Sequence, residues 1–479
     1  MTAPLWTLDA MAAAMGARRE GALPGSVTGL SIDSRTIGAG DAFFALTDQR
    51  DGHDFVEAAL KAGAALAVVA ADKRHALPPD AALLVVPDVL DALRDLGKVA
   101  RVRSPATFIA VTGSVGKTGT KEALRLALSS DGAVHASAAS YNNHWGVPLS
   151  LARCPADARH AVLEVGMNHA GEIEPLSRLI RPQVAIVTTI EPVHLEFFKS
   201  IETIADAKAE IFAGLERGGA AVLNRDNAQY ERLRRAAAAA GVARIVGFGE
   251  HADAQARLIR CALQPESSTV EASILGSPVT YKLGAPGRHV VLNSLAVLAA
   301  VALAGADLAL AALALQRLEP ASGRGARLAL ELPGGRALLI DESYNANPAS
   351  MRAALALLGQ APLGTQGRRI AVLGDMLELG PQAAQLHRGL AQSVVEDGVD
   401  LVFCAGPLMK SLWDALPSER RGGYAETSAA LEAEVLGAVR AGDAVMVKGS
   451  LGSKMGPLVK ALVRQYSSNR ARIAAPVQG

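Results

Sequence analysis

Val111-Thr112-Gly113-Ser114-Val115-Gly116-Lys117-Thr118 is the stretch on which the reading of this chain turns. A short apolar run at residues 107–111 precedes it and a helical pattern at residues 121–128 follows, which predicts strand, tight loop and helix. Such a loop is a phosphate cradle. Its glycines let backbone N–H groups approach an anion, the helix N-terminus adds partial positive charge, and Lys117 and the Thr118 hydroxyl offer contacts to β/γ-phosphates and Mg2+. Gly113, Ser114, Gly116, Lys117, Thr118 and Gly119 are therefore candidate nucleotide ligands. Val111 stands where the general G-x-x-x-x-G-K-[ST] pattern has its first glycine, so the match leans on the flanking strand and helix.

Around the loop, strand-like runs at residues 108–111, 134–136, 161–165, 184–188, 220–223 and 244–246 alternate with helical patterns. This predicts an α/β unit with a doubly wound, mainly parallel sheet, whose ligands sit beyond the carboxyl ends of its strands. Glu164 stands at such an end and is placed to approach the Mg2+ that Thr118 would hold. Asn142 and Asn143 precede a Gly/Pro turn, where they cap a helix or read amide groups. His194 and Lys208, taken alone, are ordinary surface or core residues. A flexible, basic stretch at residues 320–327 marks a boundary, and a further α/β series follows with strands at 337–340, 370–373, 401–404 and 444–447. Polar clusters at residues 341–348, 374–380 and 448–450 end three of these strands and should converge on one edge of one sheet. Before residue 104 lies a small α/β unit in which Asp33, Ser34, Arg35 and His53 occupy polar loops that turn and cap chemistry also explains. The expected organisation is a first domain at residues 1–104, a central domain at 105–321 and a third, Rossmann-like domain at 322–479.

The bulk composition excludes several classes of function. In 479 residues, 48 Lys and Arg face 47 Asp and Glu, so no basic field points to nucleic acid. Cys154, Cys261 and Cys404 are widely spaced and fit neither a disulfide framework nor a metal knuckle, which suits a reducing compartment. Residues 1–20 lack a basic start and carry Asp9, so they read as a first helix rather than a signal peptide, and a cytoplasmic protein is expected. Residues 289–306 hold no Asp, Glu, Lys or Arg before Asp307, but they are Ala-rich, include Asn293 and Ser294, and read as a buried helix rather than a membrane span.

Taken in order, D-S-R (33–35), D-G-H (51–53), T-G-S-V-G-K-T (112–118), N-N-H-W-G-V-P (142–148), E-V-G-M-N-H-A-G-E-I (164–173), H-L-E (194–196), A-K-A-E-I-F (207–212), G-R-H-V-V-L-N (287–293), D-E-S-Y-N-A-N-P (341–348), G-D-M-L-E-L-G (374–380) and V-K-G-S (447–450) resemble the Mur ligase family. These are ATP-dependent amide-bond-forming enzymes of peptidoglycan precursor synthesis. The resemblance implies a first domain for a UDP moiety, a central ATPase-like domain and a third domain for the amino component. It implies that a peptide carboxylate is phosphorylated by ATP and that an amine attacks the acyl phosphate. Among family members it favours attachment of D-alanyl-D-alanine to UDP-MurNAc-tripeptide over addition of the third amino acid, whose enzymes carry D-Y-A-H-T-P and D-N-P-R motifs absent here. A P-loop switch is an alternative from another class, but it leaves His194, Lys208 and the third-domain clusters unexplained.

Carried over by position, the resemblance makes Lys117, His194 and Lys208 catalytic, and assigns Thr118 and Glu164 to one Mg2+ and His194 with a carbamylated Lys208 (N6-carboxylysine) to a second. Asn293 would contact adenine, Arg324 or Arg327 the nucleotide phosphates, and Asp341, Glu342, Tyr344 and Asn345 would flank the nucleotide. The G-R pair fits Arg324, while the spacing to Asp341 fits Arg327. Ser34, Arg35 and His53 would bind the UDP moiety, Asn142, Asn143 and His169 the precursor, and Lys448 and Ser450 the acyl phosphate or dipeptide. The protein is expected to be a monomer.

Overall fold

The computed structural model describes residues 4–138, 140–193 and 195–466. Three large sheets follow one another along the chain, and a two-stranded antiparallel ribbon, Trp6–Thr7 with Ser26–Val27, accompanies the first. The first runs Arg18–Glu20, Leu83–Val86, Leu66–Ala70, Asp41–Phe44, Gly29–Ser31, with every neighbouring pair parallel except the first. Strands Leu66–Ala70 and Leu83–Val86 are covered on both faces, which is why they are apolar throughout instead of alternating. Helix Val89–Arg103, capped by the Asp88 side chain, lays Leu93, Leu96 and Ala100 against this sheet. Its Gly97 meets helix Gly146–Ala152 so closely that a Cβ would lie 3.2 Å from the Pro148 carbonyl oxygen. Trp6 Nε1 donates to Ala152 O at 2.8 Å and Arg101 Nε to Ile180 O at 2.7 Å, so the first and second units share a buried seam.

The second sheet has nine strands, and its centre positions the phosphate loop. Strand Thr107–Thr112 lies between His160–Glu164 and Val184–Val187, both parallel to it. The chain first builds outward to Val134–Ala136 on one side and then to Ala220–Asn224 and Arg244–Gly249 on the other, so the strand order reverses beside Thr107–Thr112. That is the crevice where doubly wound sheets hold their ligands. Helix Arg288–Leu303 buries Val291, Leu295, Leu298 and Val301 against one face, so the uncharged stretch is a core helix. Among the described residues no helix is long and apolar enough to cross a membrane.

The third sheet runs Ala326–Leu332, Gly335–Glu342, Ala444–Lys448, Arg369–Gly374, Leu401–Ala405, Arg421–Ala425. Only the first pair is antiparallel. The strands ending at Glu342, Lys448 and Gly374 are adjacent, so the three polar clusters do share one edge.

Two expectations need correcting, and one part of the central sheet had no signal in the sequence. The helix expected over residues 1–20 is only Leu8–Met15, stopped by left-handed Gly16, and Arg18–Glu20 forms a strand. Ala256–Leu263, Ser268–Ile274 and Ser277–Leu283 form an antiparallel extension of the central sheet, which the parallel pattern did not foretell. Its second hairpin turns through Leu275 and Gly276, both at positive φ, with no Asn-Gly or Asp-Gly pair to announce it. Residues 320–327 are not flexible throughout, because strand Ala326–Leu332 begins within them and pairs with Gly335–Glu342.

Candidate active site

Gly116 caps helix Lys117–Leu128 in a left-handed conformation (φ 88°). Space and conformation both demand glycine in this loop: a Cβ would lie 2.6 Å from Asn293 Nδ2 at Gly116 and 2.0 Å from Thr188 Oγ1 at Gly113. The neighbouring strand end braces the loop, with Thr188 Oγ1 donating to Val115 O (2.5 Å), Ser114 N–H to Thr189 O (2.8 Å) and Ser114 Oγ to Glu191 O (3.1 Å). Lys117 Nζ folds back to donate to Gly113 O at 2.8 Å, and Gly119 has open space beside it on the first helical turn. The result is a rigid loop with two glycines where an anion can approach the backbone, the form an ATP phosphate chain requires.

Glu164, 1% exposed, is the hub beside this loop. Its Oε2 accepts from Thr118 Oγ1 at 2.7 Å, its Oε1 accepts from Asn142 Nδ2 at 2.7 Å, and its N–H donates to Ser137 Oγ at 3.3 Å. The Thr118 and Glu164 oxygens fit one Mg2+, since octahedral bonds of about 2.0–2.1 Å place neighbouring oxygens about 2.9 Å apart. Among the described residues no trio of His, Cys, Asp or Glu could enclose a metal.

Lys208 is buried at 1% exposure on helix Ile201–Ala209. Burial first, and Lys117 second, hold its pKa well below the lysine range, and no carboxylate among the described residues counters them. Lys117 is itself lowered by burial and by Arg324, with Glu164 opposing. Burial and like charge thus both favour the uncharged amine at Lys208. His194 lies outside the described residues. Glu210 of the A-K-A-E-I-F motif holds the backbone in place. Its carboxylate accepts from the N–H groups of Gly171, Ile173 and Glu174 and ties this helix to the loop beyond Glu164. In that loop His169 is exposed, paired with Glu172 at 3.0 Å, its ring 4.7 Å from that of Phe197. Asn143 caps helix Gly146–Ala152 through Gly146 N–H (2.9 Å), so of the two asparagines Asn142 is the one that touches the acidic hub.

From the third unit, Arg324 Nη2 donates to Ser140 Oγ of the central unit at 3.2 Å, and its guanidinium stacks 4.3 Å over the Tyr344 ring. Arg327 lies on strand Ala326–Leu332, where its Nε and Nη2 are buried without a partner and Glu266 is the acid that acts on it. Of the two arginines, Arg324 is thus the one that bonds the central unit, where its charge also acts on Lys117. Asp341 is occupied internally, accepting from Gly323 N–H (2.9 Å), Ser343 N–H (3.1 Å) and Ser343 Oγ (2.6 Å), which leaves it a structural role at the interdomain turn instead of a free contact beside a nucleotide. Lys448, 2% exposed, donates to Glu342 Oε2 (3.2 Å) and Asn345 O (2.9 Å). The Asn345 side chain accepts from Ala346 N–H, and Ser450 Oγ accepts from Leu377 N–H.

In the first unit Asp33 caps the short turn Ser34–Thr36 and pairs with the exposed Arg35 at 2.6 Å. His53 is buried, with Nε2 accepting from Ala70 N–H (2.9 Å) and Nδ1 2.6 Å from Asp51 Oδ1. Because Nε2 accepts, Nδ1 carries the proton, and neither ring nitrogen is free for the ligand contact expected of it. Ser137, Ser140 and Thr188 had no sequence signal beyond their neighbourhood, since serine and threonine are common at strand ends for many reasons.

Three family models tile the chain: the Mur ligase family catalytic domain at residues 26–102, the Mur ligase middle domain at 111–301 and the Mur ligase glutamate ligase domain at 329–451. UDP-N-acetylmuramoyl-tripeptide–D-alanyl-D-alanine ligase of Rickettsia prowazekii is 32% identical over 90% of this chain and 94% of its own length. The Bacillus subtilis protein of the same name is 34% identical over 91% and 93%. The crystal structure of MurF from Acinetobacter baumannii superposes with a TM-score of 0.82 at 28% identity, covering 97% of this chain and 99% of that one. MurF from Thermotoga maritima, solved in complex with ADP, gives 0.74 at 25% identity over 91% and 97%. A braced phosphate loop, an acid and hydroxyl spaced for a hard cation, and matches that run through all three sheets make this chain a member of the Mur ligase family.

Proposed function

We propose that the protein joins D-alanyl-D-alanine to UDP-MurNAc-tripeptide, with ATP as the activating reagent. The observation that carries this reading is the alignment, over nine-tenths of this chain, of relatives named for that reaction. A carboxylate resists attack by an amine at neutral pH, so the peptide's terminal carboxylate first takes the γ-phosphoryl group and ADP leaves. The dipeptide amine then attacks the acyl carbon, the C–O bond to phosphate breaks, and the amine gives up a proton. Lys117 and the loop N–H groups hold the β/γ-phosphates, Arg324 adds positive charge from the third unit, and Asn293, beside Gly116, takes the adenine. Mg2+, held by Thr118 and Glu164, supplies charge neutralisation on the phosphates. Asn142 orients Glu164.

Lys208 is assigned as N6-carboxylysine, and with His194 as a ligand of a second Mg2+. Burial and the neighbouring Lys117 both favour the uncharged amine, which is the form that adds CO2 with loss of a proton, and the resulting carbamate is an oxygen ligand suited to a hard cation. Ser34 and Arg35 are assigned to the UDP moiety, Asn143 and His169 to the peptide precursor, Glu342, Tyr344 and Asn345 to the nucleotide, and Lys448 and Ser450 to the incoming dipeptide. We place the domains at residues 1–104, 105–321 and 322–479 of a cytoplasmic monomer. Mass analysis of the product from UDP-MurNAc-tripeptide, ATP, Mg2+ and D-alanyl-D-alanine tests the assignment, with the pentapeptide precursor expected. Phosphate release without that product, or equal turnover of diaminopimelate with a dipeptide precursor, overturns it.

A further inference from the structure

The G-D-M-L-E-L-G loop, residues 374–380, has no part in the chemistry described above, yet its shape is tightly specified. It leaves the carboxyl end of strand Arg369–Gly374 and is anchored within its own unit. Met376 N–H donates to Nε2 of the fully buried His387 (2.9 Å), whose Nδ1 lies 2.7 Å from Ala383 O. Leu377 N–H donates to Ser450 Oγ (3.0 Å) at the end of the adjacent strand, and Asp375 Oδ1 accepts from Met409 N–H (2.9 Å). From these anchors the chain turns through Glu378 and Gly380, both at φ 61°. A non-glycine residue at positive φ is uncommon and persists where its surroundings over-determine it.

The tip of this loop meets the central unit. Glu196 N–H donates to Glu378 O at 3.3 Å, and a Cβ at Gly380 would lie 3.3 Å from both Glu196 Cα and Leu195 O. The segment it meets directly follows His194 in sequence, and residues 189–191 just before it brace the phosphate loop through Ser114. The loop therefore links the crevice of the third unit, at Ser450, to the strand end that shapes the phosphate site.

We propose that residues 374–380 are the positioning contact by which the third unit docks on the central unit for amide formation, with the Glu378 carbonyl and the bare face of Gly380 seating residues 195–196. The inference rests on the ligase reading above, and the amine is delivered to the acyl carbon only when this contact is made. Gly380→Val tests it against Gly398→Val. Gly398 lies in the same unit at φ 64° with open space around it, so the second variant carries the backbone strain without a contact across the crevice.

Gly380→Val is expected to lose about tenfold or more in kcat while its KM for ATP stays within about twofold. Its scattering profile with an ATP analogue and precursor is expected to stay more extended than that of the unsubstituted protein. Gly398→Val is expected to keep both properties. Unsubstituted kcat and scattering in Gly380→Val, equal losses in both variants, or a loss confined to the KM for ATP would each overturn the proposal. Scattering with the ATP analogue alone reads docking without turnover. A normal docking difference in a protein that makes no pentapeptide would sink the ligase reading and leave the contact standing.

Discussion

Glu164 answers to three partners at once: its carboxylate takes the Thr118 hydroxyl and the Asn142 amide, and its N–H is held by Ser137. Glu164→Gln keeps the shape, and its amide can still accept from Asn142 while donating to the Thr118 hydroxyl, but the charge that would neutralise Mg2+ is gone. Activity is expected to fall by about a hundredfold or more, with a melting temperature within a few degrees of the parent. Near-parental turnover at ordinary Mg2+ concentrations would remove Glu164 from the site. Its strand-end position was legible in the sequence. Its bond to Asn142 was not, because the loop that carries residue 142 and the strand end at residue 164 meet only once the sheet is assembled.

At the scale of elements, the third unit depends on a histidine that touches no substrate. His387 is fully buried and accepts the Met376 N–H, so it must remain neutral, and burial lowers its pKa from the ordinary 6.5. As pH falls through about 6.5 the unfolded chain takes up a proton that the folded chain refuses, so this residue's stabilisation fades with a limiting slope of about 1.4 kcal/mol per pH unit. His387→Ala is expected to cost about 2–4 kcal/mol from the lost hydrogen bonds and the cavity, and to flatten the dependence of stability on pH between about 6.5 and 5. Urea unfolding followed across that range checks both; a variant with the parent's pH slope would exclude His387 as its source. The flanking helix pattern was readable from sequence, but the burial of one histidine among ten was a matter of packing.

At the scale of the molecule, the three units meet in unequal ways. The first and second share a buried seam through Trp6, Gly97 and Arg101. The third reaches the second through local contacts, among them Arg324 to Ser140, Glu378 to Glu196 and the close approach of Gly380 to residues 195–196, and Asp341 pins the interdomain turn at Gly323. Contacts of this kind break and remake at low cost, so rotation of the third unit about residues 322–327 is expected. Solution scattering should show a ligand-free ensemble more extended than the docked arrangement, contracting when an ATP analogue and precursor are added. A profile unchanged by those ligands would argue against rotation.

The sequence by itself determined the phosphate loop, the α/β class, the three-unit order and the convergence of the third unit's polar clusters, because each rests on local period and on residue types at strand ends. Tertiary structure decided which of two arginines bonds the central unit, since Arg324 and Arg327 differ by three positions in one segment, yet the first donates to Ser140 and the second buries its Nε and Nη2 without a partner. It also decided that Asn142 braces an acid while Asn143 caps a helix, and that His53 spends both ring nitrogens inside its own unit. The physical reason is the same in each case. Residue type fixes what a side chain can donate or accept, but which partner it finds depends on distances set by sheets whose strands are far apart along the chain.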